Sequence, residues 1–79
     1  MNATLNAVPK GMPLPSLKRV RLDKSFSQAD LAEAADVAVR TVTYAEQGYA
    51  VTLRTTRKLS AALGVTPAEL RAEPKDNDA

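Results

Sequence analysis

The chain has 79 residues, a net charge of +2 and 44% hydrophobic content, enough for one small domain. It holds no Cys and no His, which excludes a disulfide framework, a Cys/His zinc site, a thiol nucleophile and a Ser-His-Asp triad. With one Phe, two Tyr and no Trp, the core must be aliphatic and its margin of stability thin.

Residues 1–15 contain Pro9, Gly11, Pro13 and Pro15. Proline lacks an amide donor and restricts the residue before it, so this stretch is expected to form an extended arm, disordered over residues 1–8. Leu5, Val8, Met12 and Leu14 lend the arm apolar character with which to lie across the domain or a partner subunit. The folded domain is expected over residues 16–72.

Helix one follows Pro15-Ser16 and runs to about Lys24, with Ser16 as its cap and Leu17 and Val20 on its inner face. Phe26, the largest apolar side chain, is expected to plug the core between helices one and two. Helix two spans about Gln28 to Ala34, with Ser27 as its cap, Asp30 near its positive end and Leu31 facing inward. Its alanines are small enough to let another helix approach closely. Ala35-Asp36-Val37 then makes a turn in which Asp36 is suited to a left-handed conformation.

Helix three spans about Val39 to Gln47, with Val42 and Ala45 inward, and Gly48 ends it. Beyond the loop Tyr49-Ala50-Val51, Thr52 caps helix four over Leu53 to Leu63, whose inner face is Leu53, Thr56, Leu59, Ser60 and Leu63. Gly64 terminates that helix. Thr66 and Glu69 make a capping box for helix five, Pro67 fills its first position, and Leu70 anchors it. Residues 73–79 are expected to form a disordered acidic tail. No internal repeat and no strand of useful length is evident.

Two features suit an anionic partner, the first of them equally an ordinary solvated surface. Residues 1–58 carry nine basic and five acidic residues, +4, whereas residues 59–79 carry two and four, −2. The outer face of helix three presents Arg40, Thr43, Tyr44 and Gln47, with no acidic residue among them. A purely structural surface helix of this size more often carries Glu and Lys there.

The pattern S-Q-x-x-L-A from Ser27, V-x-x-x-T-V from Val37 and E-x-G from Glu46 is set among five short helices. Leu17, Arg21, Phe26, Leu53, Leu59, Gly64 and Leu70 fall in register around it. This arrangement resembles the Cro/repressor-type helix-turn-helix family over about residues 16–71. The resemblance implies an all-α, five-helix, lambda-repressor-like fold. It implies that helix three enters a DNA major groove, with Val39, Arg40, Thr43 and Tyr44 toward the bases. It places Gln28 toward a phosphate; Ser27 and Gln47 are further phosphate candidates, and Lys24, Arg54 and Lys58 secondary ones. It also implies a structural ion pair between Arg21 and Glu46. The competing roles are core packing for Val39, a half-buried surface ring for Tyr44, a solvated first-turn amide for Gln28, a solvated charged face for each of Lys24, Arg54 and Lys58, and two unpaired surface charges for Arg21 and Glu46. Asp36 stands where the family usually has Gly, Ala38 where it has a capping Ser or Thr, and the loop lacks the frequent Asn-Pro.

These features predict a cytoplasmic, sequence-specific regulator of transcription, a repressor, bound to double-stranded DNA as a homodimer on a pseudo-palindromic operator. No cofactor, metal, membrane span or secretory signal is expected. The alternative is a protein-interaction module, such as an antitoxin-like component, that engages another protein through the arm or tail and binds DNA secondarily. An enzyme is the remotest of the three.

Overall fold

A computed structural model of the chain describes residues 11–74. The expectations for residues 1–10, including a partner surface at Leu5 and Val8, and for residues 75–79 lie outside that range. Five helices follow one another: α1 Leu17–Asp23, α2 Gln28–Ala35, α3 Val39–Glu46, α4 Leu53–Leu63 and α5 Pro67–Arg71. The all-α, five-helix expectation holds among the described residues. Among the described residues, no helix is long and apolar enough to cross a membrane.

The helices begin where short polar side chains can satisfy free amides. Ser27 Oγ accepts from the Asp30 amide at 2.9 Å while Asp30 accepts from the Ser27 amide at 3.1 Å. Thr66 and Glu69 repeat this box at α5, and Thr52 Oγ1 accepts from the Thr55 amide at 3.1 Å to open α4. Ala38, at the start of α3, has the extended backbone of a cap but no side chain to serve as one. Ser16 departs from expectation. Its backbone is not in the extended region and its hydroxyl donates to the Ala72 carbonyl at 2.6 Å. The residue thus ties the start of α1 to the end of α5 rather than capping α1.

Four of the helices end in one and the same way. In each, a residue with left-handed backbone follows the last turn, and two amides bond back to carbonyls inside it. After α1 these are Ser25 to Leu22 and Phe26 to Arg21; after α2, Asp36 to Glu33 and Val37 to Ala32. After α3 they are Gly48 to Ala45 and Tyr49 to Tyr44; after α4, Gly64 to Ala61 and Val65 to Ser60. Gly48 and Gly64 adopt positive φ at no steric cost, whereas Ser25 (φ 64°) and Asp36 (φ 61°) do so despite a Cβ.

The core is aliphatic: Leu14, Leu17, Leu31, Val42, Leu59, Leu63 and Leu70, filled in by Ala32, Ala35 and Ala45. α2 packs on α3 and α4, α4 on α5, and α1 on α3 and α5. Phe26 packs against the margin of this core and remains partly exposed, so it closes an edge rather than plugging the centre. Leu53 was expected to face inward but is 43% exposed. Helical spacing sets the direction of a side chain, not whether another element lies opposite, and the first residue of α4 overhangs the core.

Residues 11–14 form no helix, as the prolines require, Pro15 and Ser16 turn the chain into α1, and the segment is packed rather than loose. Leu14 is 1% exposed, so the core begins ahead of the expected boundary at residue 16. Met12 and Val51 exchange two backbone hydrogen bonds, 2.9 and 3.0 Å, in an isolated antiparallel bridge. Gly11 makes this approach possible: a Cβ there would lie 2.3 Å from the Val51 carbonyl oxygen. The bridge fastens the α3–α4 loop to the arm.

Candidate nucleic-acid interface

α3 is amphipathic. Val42 and Ala45 are buried on its inner side. Its outer side divides into two columns at helical spacing, Val39 with Thr43, and Arg40 with Tyr44 and Gln47. Val39 is 46% exposed and Tyr44 50%, so Val39 lies on the surface rather than in the core. Arg40 and Gln47 are exposed and Thr43 is half-buried.

The helix carries one carboxylate, Glu46, which faces away from this surface. Its side chain is 5% exposed and that of Arg21 8%. Arg21 Nε donates to Glu46 Oε2 at 2.5 Å and Nη2 to Oε1 at 3.1 Å, a two-pronged pair. The third prong, Nη1, donates to the Phe26 carbonyl at 2.7 Å. Burial pushes the Glu46 carboxyl toward its neutral form, but the bonds from Arg21 and Gln28 and the charges of Arg21 and Lys18 hold it below the usual carboxylate range. The bond to Glu46 likewise raises Arg21 above its ordinary value, against burial. The implied ion pair is present, and it leaves the outer face of α3 free of negative charge.

Gln28 connects this pair to the outer face. Its Nε2 donates to Glu46 Oε1 at 2.9 Å, and its Oε1 accepts from the Thr43 hydroxyl at 3.1 Å. Gln28 is the first residue of α2, so the start of α2 is tied to the last turn of α3, at Thr43 and Glu46, through one side chain. Ser27 is occupied as the α2 cap but retains its hydroxyl hydrogen. Lys24 stands exposed in the α1–α2 turn, three residues before Ser27. On α4, Arg54 is exposed, whereas the Lys58 ammonium reaches the Asp36 carbonyl at 3.4 Å and so supports the end of α2.

Tyr49 was not singled out from the sequence. Its ring meets Tyr44 edge to face, with centroids 5.5 Å apart and planes at 61°, and with Gln47 the two rings line a shallow groove. The signal was Gly48. A left-handed residue at that position brings the next residue back over the one five before it, here Tyr49 over Tyr44.

A helix-turn-helix family model matches residues 17–70, from the first residue of α1 into α5. Among solved structures, the chain is similar to one titled as a hypothetical transcription factor from Neisseria, at 26% identity and a TM-score of 0.68, covering 86% of this chain and 88% of that one. Comparison with curated proteins gives no match. The chain belongs to the Cro/repressor-type helix-turn-helix family, and it is a DNA-binding regulator of transcription.

Proposed function

We propose that the chain is a non-enzymatic, sequence-specific repressor that lays α3 in the major groove of a double-stranded operator. The observation that carries this reading is the outer face of α3. It exposes Val39, Arg40, Tyr44 and Gln47 while its one carboxylate is turned inward onto Arg21. A helix fits the groove by width, and its first turns meet the base edges. Arg40 offers two parallel donors to guanine O6 and N7, and Val39 a methyl contact to thymine. Thr43 and Tyr44 lie one turn further on.

Phosphates are met by the amide of Gln28, the hydroxyl of Ser27, Lys24 and Gln47. These contacts set register without reading sequence. A single helix reads few base pairs, so the operator is a pseudo-palindrome bound by a homodimer, its half-sites ~34 Å apart. The protein works in the cytoplasm, on the nucleoid.

Selection of bound duplexes from a random pool tests this reading. The expected result is an enriched motif of two inverted half-sites about one helical turn apart. Recovery of duplexes with no shared motif would contradict it.

A further inference from the structure

Hydroxyl groups are ordinarily ambivalent, donating or accepting as the partner demands. The hydrogen-bond chain behind α3 removes that ambivalence at Thr43. Arg21 can only donate, and two of its nitrogens face both oxygens of Glu46. The ionised carboxylate can only accept, so the Gln28 atom 2.9 Å from it must be the amide nitrogen. The Gln28 oxygen is thereby turned to Thr43 at 3.1 Å, and an amide oxygen also only accepts. The other neighbour of the Thr43 hydroxyl is the Val39 carbonyl at 3.2 Å, again an acceptor. Whichever of the two it chooses, the single hydroxyl hydrogen stays within the protein. Only lone pairs remain for a group approaching from outside.

We propose that Thr43 acts toward DNA as an obligate hydrogen-bond acceptor, so that the base it meets carries an exocyclic amine in the major groove, adenine N6 or cytosine N4. The proposal rests on the reading of α3 given above. Guanine O6 and N7 and thymine O4 are acceptors and would face the lone pairs unfavourably. A phosphate oxygen is excluded for the same reason. Turning the hydroxyl outward would leave the Gln28 oxygen without its donor in a partly buried place. Gln28 keeps its second amide hydrogen, which suits it to a phosphate. The two neighbours thus divide the work, Gln28 donating to the backbone and Thr43 accepting from a base.

The test uses duplex selection with the full chain and with Thr43→Val and Thr43→Ser, followed by titration of the selected site. At each adenine or cytosine of that site the amine is deleted in turn, with purine in place of adenine and 2-pyrimidinone in place of cytosine. The proposal expects one position at which deletion weakens the unaltered protein about 3- to 10-fold, the range of one hydrogen bond. Thr43→Val, which removes the acceptor at nearly constant shape, should be indifferent to that deletion, and Thr43→Ser should respond like the unaltered protein. Equal loss in Thr43→Val and the unaltered protein overturns the proposal while leaving DNA reading by α3 intact. The amine scan on the unaltered protein decides the matter even if Thr43→Val folds poorly: no position losing 3-fold overturns the proposal. Selection that enriches no motif overturns both it and the reading of α3.

Discussion

Replacing Arg21 with Met keeps much of the aliphatic stem and removes the three-pronged donor. Three things then change together. Glu46, 5% exposed, loses both guanidinium bonds and keeps Gln28 as its donor. The Phe26 carbonyl loses the donor that met it at 2.7 Å. The link between α1 and α3 loses its polar part. Removing one partner of a buried ion pair costs about 3–5 kcal/mol, because the remaining charge is stranded. The lower end applies here, since Gln28 and the nearby Lys18 charge still favour the carboxylate. In a domain of this size about 3 kcal/mol lowers Tm by roughly 12–24 °C. Thermal unfolding followed by circular dichroism at neutral pH measures it. Adding Glu46→Gln to Arg21→Met should recover about 1 kcal/mol or more, because a neutral amide strands no charge. A fall in Tm smaller than about 4 °C for Arg21→Met would refute the claim that this pair holds α3 in place.

The same pair predicts how stability depends on pH. The folded Glu46 carboxyl lies below its ordinary value of 4.5, so its contribution is complete above that value and is lost as pH falls through the lower folded one. Denaturant midpoints should therefore fall on acidification below about pH 4.5, and Glu46→Gln should flatten that part of the profile. Asp36→Gly relieves a side chain held at φ 61° and should stabilise by about 1 kcal/mol, read as a higher urea midpoint at unchanged slope. Gly11→Ala puts a Cβ 2.3 Å from the Val51 carbonyl. It should open the Met12–Val51 bridge at a cost of about 1–3 kcal/mol, visible as faster amide exchange at both residues.

Most of the fold was legible because the helix signals are local. Ser27 with Asp30 and Thr66 with Glu69 name two helix starts, and Gly48 and Gly64 name two ends. The left-handed turn at Asp36 was legible in the same way. What was not legible depends on where the elements meet. Ser16 looked like a cap, but its hydroxyl goes to Ala72, fifty-six residues away. Leu14 belonged by composition to an arm and lies in the core, because the glycine before it lets the chain dock on Val51. Leu53 kept the helical period yet overhangs the packed face. At the candidate site, the resemblance placed Arg21 and Glu46 together. The third guanidinium bond, to Phe26, and the polarity that Gln28 imposes on Thr43 arise only from three helices meeting at one point.

Base reading by the outer face of α3 stands or falls with Arg40. A titration compares the unaltered chain and Arg40→Ala on the selected operator and on a scrambled duplex at one salt concentration. The expected loss is about 1–3 kcal/mol on the operator, with binding to the scrambled duplex nearly unchanged. Equal losses on the two duplexes would make Arg40 a backbone contact and rule out base reading by it.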